Sequence, residues 1–463
     1  MSRTAAPGTI GDVSFWYADI GLPAPRPGLQ GDTTADVCII GAGYSGLWTA
    51  HYLRQLAPDL TILIVEKHFA GFGASGRNGG WLTGGFAWNH ARYLQTATEA
   101  GLRAMVQAMN GTVDEVLSVA EAQGIDADIR RTDELMVAVN PAQLARLTAE
   151  VAHRRHWGED TRVQQIDAAQ ARARVNLPGL LGGMIVRNVA RIQPAKLVRG
   201  LAGLIEAQGT RIVEGTSALT IAPGVVETDH GTVRAKTILR CTEGFTATLP
   251  GSRREWLPLN SAQIATEPLP EAVWRDIGWN GHEILGDFAN AYCYCQRTRE
   301  GRITVGGRGV PYRYGSQVDS NGVPDPETIR RLTAILHRHF PATRDFAVDH
   351  AWCGTLGVPR DWCATVGLDP ATRIGWAGGY VGVGVSTSNL AGRTLADLTQ
   401  GRDTDLTRLP WVNRLVRQWE PEPLRWLGVQ GMYALLNAAD RREEARQGPP
   451  SRLGRLGNFL TGR

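Results

Sequence analysis

The chain has 463 residues, of which 43% are hydrophobic and 20% are charged, and its formal net charge is +4. These values are typical of soluble globular proteins, which excludes the disordered and fibrous classes. The nearly neutral body argues against a nucleic-acid-binding surface, and no apolar run approaches the roughly 20 residues of a transmembrane helix. Because the N-terminal residues lack a secretory signal pattern, the sequence predicts a cytoplasmic protein.

Residues 1–35 are rich in Gly, Pro and Thr and predict an extended N-terminal arm. The segment DVCII (36–40) then predicts a buried strand, and the amphipathic helix after it ends before Pro58. A second buried strand, TILIVE (61–66), completes a β-α-β unit. This unit is the structural context that a dinucleotide-binding motif requires.

Gly41, Gly43 and Gly46 form the pattern G-x-G-x-x-G between the first strand and the helix. The first glycine permits a tight turn, the second admits a pyrophosphate close to the backbone, and the third lets helix and strand pack closely. Glu66 ends the second strand, where a carboxylate accepts hydrogen bonds from ribose hydroxyls. The pattern predicts a bound dinucleotide, but by itself it does not separate NAD from FAD.

A second glycine-rich segment, GFGASGRNGG (71–80), favours FAD. A flavoprotein that buries its cofactor needs such a segment along the flavin, whereas a nicotinamide enzyme usually continues with a plain crossover. Ser75, Arg77 and Asn78 are predicted to donate hydrogen bonds to the pyrophosphate and the flavin edge, and the glycines beside them are predicted to remove side-chain bulk. A flexible surface loop is the alternative interpretation.

Helices and strands alternate through the middle of the chain. The patterns predict helices at 95–124, 141–157, 193–209 and 326–340, and strands at 133–140, 211–215 and 237–242, with further strands between 258 and 310. Pieces of an α/β sheet thus alternate with pieces of a β-rich layer, so the domains are predicted to be discontinuous in sequence.

A third glycine-rich segment occupies residues 373–398. A predicted strand runs into Gly378, Gly379, Gly382 and Gly384, and a helix follows. Because a helix N-terminus favours negative charge, this one is predicted to face the pyrimidine edge of the flavin, which becomes negative on reduction. A plain strand-turn-helix connection is the alternative.

Residues 401–463 hold 11 Arg against 7 Asp and Glu and predict a basic helical C-terminal tail. Trp411, Leu415 and Trp419 are spaced as on one face of a helix. Such a stripe is typical of a helix that docks on its own domain, with an interfacial helix or a subunit contact as alternatives.

Cysteine and histidine spacing predicts no metal site. The six cysteines include no C-x-x-C pair, which argues against a disulfide framework and a zinc motif. His153 and His156 lie three residues apart on a predicted helix, and His337 and His339 flank an arginine. Neither pair has an evident third ligand, so both are interpreted as solvated helix surface.

The three glycine-rich segments together resemble those of the FAD-dependent D-amino-acid oxidase and sarcosine oxidase superfamily. The resemblance is strongest to its branch of glycine oxidase-like and gamma-glutamylputrescine oxidase-like amine oxidoreductases. Matching segments follow the family order along nearly the whole chain: DVCIIGAGYSGLWTAHYL, VEKHFAGFGASGRNGG, RIQPAKLVRGLAGLIEAQG, TVRAKTILRCTEGF, RITVGGRG and GWAGGYVGVGVSTSNLAGR.

The resemblance implies an α/β fold in which a Rossmann-like FAD-binding domain of the glutathione-reductase type is interleaved with a mixed-sheet α+β substrate domain. The FAD-binding domain is assigned to 36–95, 190–250 and 350–400, and the substrate domain to 96–189 and 251–349. Val213 is expected on the adenine side, as in the family. The predicted cofactor-binding residues are Gly41, Gly43, Tyr44, Ser45, Gly46, Glu66, Lys67, Gly73, Ala74, Ser75, Arg77, Asn78, Gly79, Gly80, Val213, Gly378, Gly379, Tyr380, Gly382, Gly384 and Val385.

The family's reaction oxidises the C–N bond of a primary or secondary amine or of an amino acid. Hydride passes to flavin N5, the imine hydrolyses, and O2 or another acceptor reoxidises the flavin, with H2O2 as the product of O2. The cofactor carries the redox step, so the protein mainly positions the substrate. No catalytic residue is assigned, and the candidates on the substrate side are Arg308, which could pair with a carboxylate, Trp352, Tyr380 and Trp81.

The sequence departs from its relatives at two points. Sarcosine oxidase-like members use a lysine near the flavin in the reaction with oxygen, but Lys67, Lys196 and Lys236 stand at no suitable position. Some relatives attach the flavin through a cysteine, but the offset of Cys353 from Asp361 does not match theirs, so non-covalent FAD is predicted.

Two other interpretations remain. An FAD monooxygenase or an NAD(P)H-linked flavin reductase would need a second nucleotide site, and the sequence has no second G-x-G-x-x-G after a strand. A non-catalytic, flavin-bound partner subunit is the third possibility.

Overall fold

A computed structural model describes residues 8–85, 90–307, 312–318 and 321–461. The described chain forms two large β-sheets with helices packed on them. The strands are β1 Thr9–Ile10, β2 Thr33–Ile40, β3 Ile62–Val65, β4 Trp81–Leu82, β5 Arg130–Ala138, β6 Val163–Asp167, β7 Gly182–Arg191, β8 Arg211–Val213, β9 Ala218–Ala222, β10 Val225–Thr228, β11 Gly231–Arg240, β12 Leu257–Thr266, β13 Ile284–Asp287, β14 Tyr294–Arg297, β15 Ile303–Gly307, β16 Val348–Val358, β17 Thr365–Leu368 and β18 Ile374–Gly378.

The α-helices include those predicted at 95–124, 141–157, 193–209 and 326–340 and those predicted after the first and third glycine-rich segments, together with others that the sequence analysis did not place. They are α1 Phe15–Ile20, α2 Tyr44–Leu56, α3 His90–Tyr93, α4 Glu99–Ala122, α5 Pro141–His156, α6 Ala168–Arg172, α7 Pro194–Ala207, α8 Glu271–Ile277, α9 Pro326–His339, α10 Gly384–Thr399, α11 Leu424–Arg446 and α12 Arg452–Thr461. Proline opens α5, α7 and α9, and in each of these the side chain of the preceding residue caps the first turn.

The smaller sheet has the strand order β17-β18-β11-β2-β3-β8, and β10 and β9 extend it beside β11. The five strands β18, β11, β2, β3 and β8 run parallel. Helices α2, α4, α7 and α10 contribute to the hydrophobic core on one face of this sheet. Because the central strands are parallel, their carboxyl ends meet at one edge, where ligands bind in open α/β sheets.

The larger, mixed sheet has the strand order β1-β16-β12-β15-β14-β13-β5-β7-β4, with β6 paired to β7. Helices α8 and α9 pack on one of its faces, and α5 packs on strands β5, β6 and β7. The α/β architecture with mixed sheets that the sequence predicted is confirmed.

Two strands lie in a different sheet from the one that the predicted domain ranges imply. β4 falls within 36–95 and most of β16 within 350–400, yet both belong to the larger sheet. β16 pairs with β12 from Leu257 to Thr266, and this long antiparallel pairing fixes its place. The division of the chain into two domains at the predicted boundaries stays a prediction.

The N-terminal segment is more structured than an extended arm. β1 pairs with β16, and α1 packs on α7. Three consecutive aromatic residues, Phe15, Trp16 and Tyr17, are buried. The composition of this segment did not predict its structure, because its glycines and prolines flank a short helix whose aromatic side chains enter the core.

The helix predicted across Trp411, Leu415 and Trp419 is wrong. This stretch contains no regular helix, and α11 begins only at Leu424. Leu415 is 96% exposed, whereas Trp411 and Trp419 are buried at separate places in the core. Trp419 is held by a hydrogen bond from its Nε1 to the Val358 carbonyl (2.7 Å). The helical spacing of these residues is therefore a coincidence, since the two tryptophans are buried at separate places.

Within the described residues, no helix is both long and apolar enough to cross a membrane.

Candidate functional site

The first glycine motif forms a tight turn between β2 and α2. Gly41 has a φ of +102°, and a Cβ there would lie 2.6 Å from the Cys241 carbonyl oxygen. A Cβ on Gly46 would lie 2.1 Å from the Gly41 carbonyl oxygen. These approaches leave no room for a side chain, so both glycines are required by the close packing of strand, helix and β11.

Glu66 follows β3 at the same edge of the sheet. Its Oε2 accepts a hydrogen bond from the Ala42 amide (2.8 Å), and its Oε1 accepts one from the His68 amide (2.9 Å). Burial raises the pKa of this carboxyl group. The two bonds hold the carboxylate beside the glycine turn.

A first cavity of about 440 Å³ opens at the carboxyl ends of β2, β3 and β11. Two thirds of the predicted cofactor-binding residues line it. They are Gly41, Gly43, Tyr44, Ser45, Glu66, Lys67, Gly73, Ala74, Ser75, Asn78, Tyr380, Gly382, Gly384 and Val385.

The segment 71–80 is fastened to α2 and folded on itself by hydrogen bonds. The Ser75 Oγ accepts from the Tyr44 amide (2.8 Å). The Asn78 side chain accepts from the Gly80 amide (2.8 Å) and donates to the Ser75 carbonyl (2.8 Å). The segment is therefore a defined turn of the protein rather than a surface loop.

Arg77 and two of the glycines in this segment serve the packing of the protein. The Arg77 guanidinium is buried and donates to the carbonyls of Phe72 (2.8 Å) and Cys353 (3.3 Å). A Cβ on Gly76 would lie 2.5 Å from the Tyr17 ring, and one on Gly79 would lie 2.8 Å from the Tyr294 ring. Glycine is thus needed here partly because aromatic side chains of other segments lie against the backbone.

The third glycine-rich segment is held in place by the carboxylate side chain of Glu243. Glu243 accepts hydrogen bonds from the amides of Gly379 (3.1 Å) and Tyr380 (3.2 Å), and burial raises its pKa to about 7. The Tyr380 hydroxyl hydrogen bonds with the Ser45 Oγ (2.8 Å). Gly378 and Gly379 therefore support the loop, while Gly382, Gly384 and Val385 line the first cavity.

A second cavity of about 610 Å³ adjoins the first and shares Ala74, Asn78, Leu356, Gly382 and Val385 with it. Its other walls come from one face of the larger sheet and from α3 and α5. The aromatic and polar residues there include Trp81, Ser261, Gln263, Tyr292, Tyr294 and Trp362.

Charged residues stand in the wall of the second cavity formed by β5 and α5. The Glu134 Oε2 accepts from the Thr83 hydroxyl (2.8 Å), and burial raises the Glu134 pKa. Arg154 pairs with Glu150 (2.8 Å) on the same helix. His153, which was interpreted as solvated surface, instead lines this cavity, and its Nε2 lies 3.0 Å from the His90 Nδ1.

The candidate substrate-side residues have different positions. Arg308 lies outside the described residues. Trp352 is fully buried and donates to the Arg77 carbonyl (3.0 Å), so it supports the second glycine-rich segment, and it does not belong to the described lining of either cavity. Tyr380 lines the first cavity, and Trp81 lines the second.

Several other predicted residues do not belong to the described lining of either cavity, namely Gly46, Gly80, Val213, Gly378 and Gly379. The Val213 side chain is in the core, and the following residues, Thr216 to Leu219, line the first cavity instead. Of the three lysines, Lys67 lines the first cavity, whereas Lys196 pairs with Asp128 and Lys236 pairs with Asp36.

Apart from Trp81 and residues of the glycine-rich segments, the sequence analysis missed the residues of the second cavity. Glu134, Arg154, Ser261 and Tyr294 lie on different elements and share no motif. The one signal available was the position of Glu134 directly before the apolar run LMVA in β5.

The residues of the first cavity fit a flavin dinucleotide. A turn with glycine at positions 41 and 43 leads into the N-terminus of α2, where backbone amides favour a pyrophosphate, and a carboxylate stands at the end of the neighbouring strand. Cys241 is the one cysteine among the described residues that line the two cavities, and burial raises its pKa to about 12.

Comparisons with known proteins agree with this geometry. Residues 36–398 match the family described as DAO, FAD dependent oxidoreductase. The chain is 29% identical over 396 residues to gamma-glutamylputrescine oxidoreductase of Escherichia coli (84% of this chain, 89% of that protein). It is 30% identical over 420 residues to the probable oxidoreductase OrdL of Rhizobium meliloti (85% of this chain, 90% of that protein).

The fold is also that of solved flavoenzyme structures. Glycine oxidase from Geobacillus kaustophilus has a TM-score of 0.69 at 19% identity, covering 82% of this chain and 99% of its own. L-proline dehydrogenase from P. horikoshii has a TM-score of 0.68 at 18% identity, covering 83% and 98%. With the family match over most of the chain, these findings establish that the protein belongs to the DAO family of FAD-dependent oxidoreductases.

Proposed function

We propose that the protein oxidises the C–N bond of a primary or secondary amine or of an amino acid, using non-covalently bound FAD. One observation carries the proposal: a second cavity with charged walls adjoins the cavity that fits a dinucleotide. The names of the relatives in the comparisons, which include a gamma-glutamylputrescine oxidoreductase and a glycine oxidase, support this choice of substrate class.

The first cavity would hold the cofactor. The amides at the start of α2 and the Ser75 hydroxyl would face the pyrophosphate, and Glu66 would accept hydrogen bonds from the ribose. Residues that line both cavities, such as Asn78 and Gly382, would face the flavin. When bound, FAD supplies the acceptor for two electrons and a hydrogen from the substrate carbon.

The second cavity would position the substrate. An amine is mostly a cation in neutral water, and the carboxylates of Glu134 and Glu150 would attract it. Arg154 would offer a partner for a carboxylate if the substrate is an amino acid. Tyr292, Tyr294 and Trp81 would exclude water from the reacting carbon and limit the width of the substrate.

O2 or another electron acceptor would complete the cycle. Among the described residues lining the second cavity there is no lysine, in contrast to sarcosine oxidase-like relatives. The arginines in its described wall are Arg77, which donates to backbone carbonyls, and Arg154, which is paired with Glu150. We therefore propose slower reoxidation by O2 than reduction by the substrate.

An anaerobic panel of amines and amino acids tests the proposal. Loss of the yellow flavin absorbance on mixing, followed by its return in air with formation of H2O2, is the expected result. NAD(P)H serves as the control, because its stoichiometric oxidation without any amine would indicate the reductase or monooxygenase alternative. Failure of every amine to bleach a fully loaded enzyme would contradict the proposal and favour a non-catalytic subunit.

A further inference from the structure

Asp287, Cys293 and His339 form a buried cluster that the flavin chemistry does not use. Asp287 ends β13, Cys293 directly precedes β14, and His339 is the last residue of α9. Their exposed fractions are 2%, 3% and 4%. The sequence analysis interpreted His339 as solvated surface, which is wrong, because the end of α9 turns this side chain into the core of the larger sheet.

The distances in this cluster match those between the ligands of a tetrahedral metal ion. The His339 Nε2 lies 3.4 Å from the Asp287 Oδ2 and 3.5 Å from the Cys293 Sγ. An N–H···O bond is normally about 2.7 to 3.2 Å long, and one nitrogen cannot donate well to both partners. When zinc has its usual bond lengths and tetrahedral angles, its nitrogen and oxygen ligand atoms lie about 3.4 Å apart. Its nitrogen and sulfur ligand atoms then lie about 3.5 Å apart.

We propose that this cluster is a structural zinc site, with the Asp287 carboxylate, the Cys293 thiolate and the His339 imidazole as ligands. Buried carboxylate and thiolate groups are costly unless a cation compensates them, and Zn²⁺ takes this mixed ligand set. The three ligand atoms all lie within 4.8 Å of one another, as the ligands of one ion must. The Asp287 Oδ1 accepts from the Cys293 amide (3.0 Å), which orients Oδ2 toward the site.

The cluster is not a second catalytic centre. Cysteine, histidine and aspartate could form a nucleophilic triad, but such a triad needs access to a substrate. These three residues do not belong to the described lining of either cavity. Asp287 and Cys293 pack with α9 on the face of the sheet opposite to Met136 and Tyr294, which face the second cavity.

A metal ion here would stabilise the wall of the second cavity from the opposite face of the larger sheet. It would join the end of α9 to the connection between β13 and β14, and this connection carries Tyr292 into the cavity wall. The same connection is held from the other side, where Asp440 accepts from the Asn290 and Ala291 amides (both 2.8 Å). Loss of the ion is therefore expected to loosen the wall formed by Tyr292 without removing a reacting group.

Without a metal ion the cluster has a different charge state. Without the ion, the His339 Nε2 can hold a proton that is directed at Asp287 or at Cys293. Zinc would displace this proton. The two states differ in metal content, which makes them separable by experiment.

Metal analysis of the tag-free, FAD-loaded protein grown with added zinc tests the site. We expect about one zinc per chain after gel filtration, at least a tenfold lower content in Cys293→Ala, and an unchanged FAD content in both. Cys38→Ala is the matched control, because Cys38 is equally buried but lies in the smaller sheet, and it should retain the zinc. Zinc retained in full by Cys293→Ala would overturn the ligand assignment.

Cobalt substitution provides a second measurement that needs no variant to fold. Wild-type protein treated with a chelator and then with Co²⁺ should take up one equivalent and show the intense visible bands of tetrahedral, thiolate-bound cobalt beyond the flavin absorption. A wild-type protein that holds neither zinc nor cobalt in stoichiometric amount would overturn the proposal and leave a hydrogen-bonded cluster.

Discussion

The Ser75 hydroxyl oxygen lies 2.8 Å from the Tyr44 amide nitrogen, which fastens the second glycine-rich segment to the first residue of α2. Two segments that the sequence separates by about 30 residues thus share one wall of the first cavity. The hydroxyl oxygen accepts this bond, so its own hydrogen is directed to the cofactor in the binding arrangement proposed above.

Ser75→Ala should weaken FAD binding. The substitution removes one hydrogen bond that holds the helix start and one donor to the cofactor, at about 1 kcal/mol each, which corresponds to a rise of at least about fivefold in the Kd. Fluorescence titration of the apoprotein with FAD measures this. Ser118→Ala, on the exposed face of α4, is the control and should bind as wild type does. An unchanged Kd for Ser75→Ala would remove Ser75 from the site.

Gly46→Ala should destabilise the protein by about 1 to 3 kcal/mol and lower its FAD content, because the new Cβ would lie 2.1 Å from the Gly41 carbonyl. Gly203→Ala is a matched control within α7, where a Cβ meets nothing within 4 Å, and it should be neutral or slightly stabilising. Denaturant unfolding compares the two. Equal effects of both substitutions would mean that α2 does not pack against the turn as described.

Glu243 should make stability fall as the pH rises. Burial raises its pKa from 4.5 to about 7 in the folded protein, so between these values the folded state binds more protons than the unfolded state. The contribution is fully present below pH 4.5 and is lost as the pH rises to about 7, and it amounts to about 3 kcal/mol.

The Glu243→Gln variant tests this assignment. Its unfolding free energy should depend less steeply on pH between 4.5 and 7 than that of wild type, although the amide loses one acceptor for the Gly379 and Tyr380 amides. Unfolding curves at several pH values give both slopes. Parallel curves for the two proteins would show that Glu243 does not titrate in this range.

Glu134→Gln should raise the KM for an amine substrate about tenfold while FAD binding stays as in wild type. The substitution removes a charge from the second cavity but leaves an acceptor for the Thr83 hydroxyl. Steady-state kinetics with the best amine of the panel measure the change. Glu121→Gln, on the exposed surface of α4, should leave the KM unaltered. If Glu134→Gln also leaves it unaltered, Glu134 does not contact the substrate.

The cofactor half of the site was predictable because its chemistry is local. A turn that needs Gly41 and Gly46, a strand before it and a carboxylate after the next strand all appear as fixed spacings in the sequence. Parallel pairing of β2, β3 and β11 then brings their ends together without further information. Even here, the sequence does not reveal why residues 76 and 79 must be glycine. Gly76 and Gly79 are approached by Tyr17 and Tyr294 from distant segments.

The substrate half was not predictable because it is assembled by tertiary packing. Glu134 lines the second cavity from β5 and Arg154 from α5, and Tyr294 lines it from a strand far along the chain. The same reason explains the errors at Trp419 and His339, whose side chains are buried by contacts with remote segments that local periodicity cannot indicate.

Rapid-mixing reduction of the flavin in a Met136→Trp variant tests most directly whether the two cavities have separate roles. Met136 belongs to the described lining of the second cavity and not to that of the first, so the larger side chain should leave FAD bound and obstruct the substrate. We predict a wild-type FAD content and melting temperature, with anaerobic bleaching by the amine slowed at least about tenfold. A fully loaded, folded variant that is reduced at the wild-type rate would contradict the assignment of the substrate to the second cavity.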